Sequence, residues 1–346
     1  MAPLHRGAQR PGGLMGRHIL LRLGTLLPQV LGILTIAFFL LKLIPGDPAP
    51  MMLGPLATQE AVDKLRHEMG LDQPLPAQFW QHLQRLAQGD MGRSWQTTNP
   101  VLHDLLDRLP ATLELIALGL SLALAIGVPL GLAAGRRPGS RIARAADLFS
   151  LGGGALPDFW LAVVLIYVFY TLLGWAPAPL GRLDFALLPP ERLTGSYLVD
   201  ALLRGQFDTA LAAAKQLLLP ALTLGLIAAV PLLKTTRTAV ERLNDNDFIR
   251  FAEAKGLPPG RVSRHALRCA LPGIVTALGL MFSQLLGGAV LIEVVFAWGG
   301  AGQYAVAAVL NADINAALGF IVMAAVLSLL VHLAVDLLCL ALDPRT

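Results

Sequence analysis

Few residues in this chain are equipped to do chemistry, and most of those sit in apolar surroundings. Glu114, Gln284, Glu293, His332 and Asp336 fall inside or at the ends of long apolar runs. An ionisable group at membrane depth is costly to desolvate, so each is a functional candidate by default. Each also has a plainer reading. Glu114 and Asp336 lie close enough to run ends to be interfacial residues. A histidine such as His332 is more often a satisfied packing residue than a ligand. Glu293, inside GGAVLIEVVFAW, is the strongest of the set. Enzyme motifs are missing: there is no G-x-x-x-x-G-K-[ST], no H-E-x-x-H and no Cys/His cluster with zinc spacing. Gly300-Ala301-Gly302-Gln303-Tyr304-Ala305 fits G-x-G-x-x-A in form only. That fingerprint needs a preceding strand and a βαβ unit, and here an apolar run precedes it. No cofactor and no metal are expected. Cys269 and Cys339 are too few for a disulfide framework and are expected to be reduced thiols.

A second constellation is polar. Asn244 to Pro272, NDNDFIRFAEAKGLPPGRVSRHALRCALP, separates two apolar runs. Asp245, Asn246 and Asp247 can cap a helix N-terminus. Phe248 to Lys255 reads as that helix, Gly256 as its left-handed stop, and Pro258-Pro259 prevent continuation. Phe248, Phe251 and Ala252, at i, i+3 and i+4, share one apolar face. Two turns of helix are marginal alone in water. The face therefore docks, either on the membrane ends of its own chain or in a separate protein. Arg261, Arg264 and Arg268 share a following helix face, as headgroup anchors first and protein contacts second.

The elements that must carry these residues are membrane spans. The chain has 346 residues, 55% hydrophobic and 14% charged, where a soluble domain carries about 25% charge. Its net charge of +4 comes from basic loops. No basic patch interleaved with aromatics lies outside the apolar runs, so nucleic acid is not an expected partner. Apolar runs near 20 residues mark spans, here expected at about 18–44, 111–134, 155–175, 217–233, 273–298 and 318–342. Residues 1–17 are expected to be a disordered basic N-terminus. The first run is too long for a signal peptide and lacks a small-x-small site. Residues 45–110 form the longest polar stretch. It has a proline ladder (Pro45, Pro48, Pro50, Pro55) expected to be extended, and amphipathic helices at Thr58 to Met69 and Pro76 to Ala87. A second polar loop, 176–216, has an amphipathic piece at Tyr197 to Leu203. Pro220 and Pro231 bracket a short fourth span. Gly119, Ala123, Gly127, Gly131 and Gly135 repeat at i+4, a small-residue ridge that lets two helices approach closely. It would pack within the chain or against a partner chain. Gly279, Ser283 and Gly287 form a second ridge.

Several of these stretches resemble one family. RFAEAKGL, followed by RHALR and LP, resembles the cytoplasmic "EAA" loop of ABC-importer permeases, in its dipeptide/oligopeptide/nickel branch. LLKLIPGDPAPMMLG, MGLDQPLPAQFW, GDMGRSW, ALPDFWLAVVL, LLLPALTLGL and GGAVLIEVVFAWGGAG extend the resemblance over nearly all of the chain after Leu20. It implies an all-α membrane protein with the six-span type I ABC-importer permease fold, in the bacterial inner membrane. The 234–272 loop would be cytoplasmic. Phe248, Arg250, Phe251, Ala252, Glu253, Ala254, Lys255 and Gly256 would form a coupling helix seated in an ATPase groove. Arg250 and Phe251 stand where the general consensus has Glu and Ala, and Glu253 where the branch usually has a basic residue. These departures point to a private pairing with its ATPase. Glu293 would stand near an outer gate. The implied partners are a homologous second permease subunit, two ATPase subunits, an extracytoplasmic binding protein and the lipid bilayer. The implied cargo is a di- or oligopeptide, or a related solute such as a nickel chelate. With no nucleotide site in the chain, energy comes from a partner ATPase or, in the alternative reading, from an ion gradient driving a secondary transporter. A membrane anchor without transport is a third class.

Orientation follows from charge. The loops 136–144 and 234–268 are rich in Lys and Arg, and the loop between the last two spans has none. The positive-inside rule places both termini and the 234–272 loop in the cytoplasm. In a background lacking Cys269 and Cys339, Gln78→Cys is expected to react with an impermeant thiol reagent in intact cells. Gly260→Cys is expected to react only after permeabilisation, and its labelling from outside would reverse the orientation.

Overall fold

The computed structural model describes residues 11–43, 48–54, 56–244, 247, 251 and 254–342. Twelve helices are followed here: α1 (Pro11–Leu43), α2 (Pro48–Leu53), α3 (Gln59–Glu68), α4 (Leu75–Ala87), α5 (Val101–Arg136), α6 (Arg141–Ala155), α7 (Asp158–Leu165, continued by a π-helical turn Ile166–Leu172), α8 (Tyr197–Leu203), α9 (Phe207–Asn244), α10 (Pro259–Val295), α11 (Ala301–Leu310) and α12 (Ile314–Leu342). Among the described residues there is no strand, only an isolated bridge between Arg93 and Pro100. Polar side chains start several helices by accepting an orphan main-chain amide. Thr58 accepts from Ala61, Ser140 from Ala143 and Ser196 from Val199.

Four helices (α5, α9, α10 and α12) are long and apolar enough to cross a membrane; α6 with α7, bent by 106°, makes a fifth if the pair is one span. Packing direction argues that it is. The ridge glycines of α5 meet α9 at a constant offset: Gly119 on Leu224, Gly127 on Leu232, Gly131 on Thr236, Gly135 on Val240. The two helices therefore run parallel, and the chain between them must return across the bilayer. Contacts at its two ends agree. Asp147 of α6 pairs with Arg237, late in α9, while Arg182, beyond α7, pairs with Glu114, early in α5.

Several expectations need correction. α1 begins at Pro11, so residues 11–17 are helical; proline is well tolerated in a first helical turn. Residues 1–10 lie outside the described residues. Pro48 and Pro50 belong to α2 and are not extended, for the same first-turn reason. α9 runs straight through Pro220 and Pro231, because packed neighbours in a bundle make up for lost ladder bonds. The third span does not start at Ala155. The chain is helical from Arg141 and breaks at Leu156-Pro157, where proline disfavours α geometry in the residue before it. α11 was not foreseen.

The main core joins α5, α9 and α10 through Leu115, Ile116, Leu224, Leu232 and Ile292. A smaller one seats α1 on α12 and α4 through Leu34, Phe38, Phe79 and Leu318. The Phe38 and Phe79 ring centroids are 5.2 Å apart. His82 of α4 lies beside them, 4% exposed, its ring 6.2 Å from Phe38. Burial penalises the charged imidazolium and Arg85 adds repulsion, against a weaker pull from Asp90, so its pKa falls to about 4. The folded state thus excludes a proton that the unfolded chain takes up near 6.5. Stability is complete above that pH and is lost as pH falls toward about 4, by up to about 3 kcal/mol. Amide-exchange protection of α3 and α4 is expected to weaken over this window in the wild type and to stay flat in His82→Leu.

Candidate functional site

Three places in the fold bear on function, and the first is the α5–α9 seam. A Cβ at Gly127 would stand 2.8 Å from the Ala229 carbonyl oxygen, at Gly131 2.7 Å from that of Leu233, and at Gly135 2.9 Å from that of Arg237. Ala123 is fully buried between them. The seam is internal to this chain. Where it ends, Arg237 pairs with both Asp147 and Glu241, and Arg136 donates to Ser263 Oγ at 3.3 Å. The second ridge divides. Gly279 abuts Val335 of α12, with 2.9 Å from the Cβ position to Val335 Cγ2, and Ser283 is half-buried. Gly287 is exposed with nothing within 4 Å. Leu280, Gln284, Gly287, Leu291 and Val294 make one exposed face along α10.

The second place is the carboxyl of Glu293, fully buried at the end of α10. It accepts the Thr112 hydroxyl on one oxygen and the Gln303 amide, at 2.8 Å, on the other. Thr112 Oγ1 accepts the Ala301 amide at 2.9 Å, and Trp298 Nε1 donates to the Ala111 carbonyl at 3.0 Å. Glu293 thus ties α10, α5 and the first turn of α11 together, satisfying amides that no helix bond reaches. Any Cβ at Gly300 or Gly302 would collide with that carboxyl. The arrangement can clamp, with each carboxylate oxygen already holding a hydrogen bond.

Other acids fasten the same end. Asp313, 1% exposed, accepts from Ser94 Oγ at 2.6 Å, the Trp95 amide at 2.8 Å and the Ala316 amide at 3.1 Å. Glu114 is not a free interfacial residue: Arg182 donates to it at 2.9 Å and Ser196 Oγ at 2.7 Å, and Arg182 stacks 3.7 Å above the Tyr197 ring. Asp200 in the same loop accepts the Thr194 amide and hydroxyl and the Gly195 amide. Burial pushes its pKa up, but those bonds outweigh it and hold the carboxyl below the usual range. Asp313, Arg182 and Asp200 were not singled out in the sequence, since their partners lie in loops with no periodic signal. His332 Nδ1 lies 2.7 Å from the Ser328 carbonyl, a packing bond within one turn, and Asp336 is half-buried in α12.

The third place is the polar stretch after α9. Asp247, Phe251 and Ala254 are helical, and the Lys255 amide donates to the Phe251 carbonyl at 3.0 Å. Gly256 has φ +72°, the left-handed geometry of a helix stop. Phe251 is 59% exposed, with Lys255 Nζ 4.4 Å from its ring centroid. Phe248, Arg250, Ala252 and Glu253 lie outside the described residues.

Residues 127–346 match the family described as binding-protein-dependent transport system inner membrane component, and residues 15–116 match its N-terminal region. The chain belongs to this family. It is a multi-pass inner-membrane permease, the transport component and not an enzyme. It is 41% identical, over 91% of its length and 93% of the relative's, to the probable D,D-dipeptide transport system permease protein DdpB of Escherichia coli K12. It is 38% identical to the di/tripeptide transport system permease protein DppB of Pseudomonas aeruginosa UCBPP-PA14, over 94% and 96%. With the dipeptide transport system permease protein DppB of Escherichia coli K12 it shares 34%, over 96% and 98%.

The seam sets a test of the permease's packing. Gly127→Leu forces α5 off α9, an overpacking typically worth about 1–3 kcal/mol and more where main chain must move. A lower thermal midpoint and a lower yield of folded permease are expected, with Gly287→Leu, on open surface, close to wild type. A wild-type midpoint for Gly127→Leu would show the seam to be loose.

Proposed function

We propose that this permease is one half of the membrane channel of an ATP-driven importer that carries di- or oligopeptides across the bacterial inner membrane. The observation that carries this is identity of 34–41% along more than nine-tenths of the chain to permeases named for dipeptide or di/tripeptide transport. Those names favour a peptide over a nickel chelate. Six spans follow when α1, whose segment Leu27–Leu43 is apolar, joins α5, the α6–α7 pair, α9, α10 and α12. Both termini are cytoplasmic, in line with the basic loops. A homologous permease, two ATPase subunits and an extracytoplasmic binding protein complete the complex.

In this reading the ATPases close and draw on residues 248–256, the coupling helix. An exposed aromatic and a glycine stop at positive φ suit a short docking helix. Glu293 keeps α11 fixed at the outer mouth, so the gate there moves as one body with α5 and α10. The α3–α4 region and the 176–216 loop face the binding protein.

Phe251→Ala removes an aromatic anchor of the kind worth about 2 kcal/mol or more at an interface, or roughly thirtyfold in affinity. Gly256→Val places a branched side chain at positive φ. Both are expected to lose ATPase subunits on purification, or to hydrolyse ATP without uptake in proteoliposomes, while the chain stays folded. Wild-type values for both variants in both assays would remove the docking role. Uptake that persists without ATP and collapses with an uncoupler would replace the importer by a gradient-driven transporter.

A further inference from the structure

The strongest group not yet given a role is the carboxyl of Asp158. It follows the break at Leu156-Pro157, so it stands midway along the bent pair and not at the end of a span. It is half-buried, and its Oδ2 lies 2.9 Å from where a Cβ of Gly288 would be. A side chain on α10 at that point would displace it. The described residues provide no ion-pair partner. Lys234, whose Nζ comes within 4.0 Å of a Cβ position at Gly154 across the break, is not bridged to Asp158. Gln284 and Gly287 of the exposed α10 face lie within one turn of Gly288. A carboxyl and an amide at this depth are tolerated in protein or beside water, not in lipid. A broken helix near mid-membrane is also where transport proteins place solute sites.

We propose that Asp158 is a cation-recognising point of the translocation path, where the protonated amino group of the transported solute is attracted as it passes between this permease and its partner. The proposal rests on the importer reading for its cargo, but not for its electrostatics. An acid in a first helical turn also complements the helix dipole; that role alone would not depend on the charge of what passes.

The test uses the assembled complex in membrane vesicles, with Gly287→Cys in a background lacking Cys269 and Cys339. A cationic (trimethylammonium) and an anionic (sulfonate) methanethiosulfonate of similar size are compared. With Asp158 present the cationic reagent is expected to react about fivefold or more faster, as one nearby charge in partly wet surroundings allows. The preference is expected to vanish in Asp158→Asn and return in Asp158→Glu. A ratio near one with Asp158 in place, an unchanged ratio in Asp158→Asn, or no reaction with either reagent overturns the proposal. The ratio with Asp158 present decides even if the Asn variant fails to assemble. In parallel, the uptake ratio of Ala-Lys to Ala-Glu is expected to fall several-fold in Asp158→Asn. Absence of any ATP-driven uptake by the wild-type complex would instead count against the importer reading, and the reagent ratio would still stand on its own.

Discussion

A bilayer gives two apolar helices little reason to prefer each other over lipid, so they associate by how closely their backbones approach. The α5–α9 seam is this chain's answer. Gly119, Gly127, Gly131 and Gly135 leave main chain against main chain, and Gly225 does the same from the other side, its Cβ position 2.7 Å from Leu122 Cβ. Because the pairing is parallel, it also dictates topology: the segment between the two helices must cross back. The bent α6–α7 pair therefore follows from the seam, as does the placement of loops 92–100 and 182–200 near the start of α5.

On that frame the polar groups divide by end. Near the start of α5, buried acids accept hydrogen bonds from main-chain amides, hydroxyls and arginine: Asp104 from Thr97, Asn99 and Arg108, Glu114 from Arg182 and Ser196, Glu293 from Thr112 and Gln303, Asp313 from Ser94 and Trp95. These bonds join segments up to about 200 residues apart and fix their register, since a buried acceptor left unmade costs about 1–3 kcal/mol or more. At the other end arginines do the fastening, Arg237 to Asp147 and Arg136 to Ser263. Acid clamps suit an end built from loops and helix starts, where free amides abound. Arginines suit an end built from helix stops beside a charged loop.

What was legible in the sequence followed from periodicity. The i+4 ridge, the amphipathic helices of 59–87 and the short helix at 197–203 each repeat a pattern that one element alone imposes. What was hidden depended on pairs far apart. Glu114 read as interfacial because its partner Arg182 sits in a loop with no period. Asp158 was passed over because a span expected at 155–175 places it in that span's first turn, whereas the α6 that precedes it turns Pro157 into a break within the bent pair. Pro220 and Pro231 misled in the opposite direction, since neighbouring helices carry α9 through both. Of the stretch that the resemblance over RFAEAKGL singles out, only Asp247, Phe251 and Ala254 to Gly256 fall among the described residues.

A transporter also needs surfaces that part. The clamped acids and the glycine seam join α5, α9, α10 and α11 into one body, so parting has to occur elsewhere. The exposed face of α10, from Leu280 through Gln284 and Gly287 to Val294, carries none of these fasteners, and the break before α7 opens beside it. That face presents apolar, glycine and amide groups, and none of the buried hydrogen bonds described above runs through it. Parting through the Glu293 clamp would strand two acceptors and two amides at once. In the proposed importer, rigid-body rocking about that unfastened face would break the fewest of these bonds, as in transport folds where one bundle moves against another around a fixed site. Asp158 borders that face and has no ion-pair partner among the described residues, so in the proposed importer its field is left for whatever enters between the two halves.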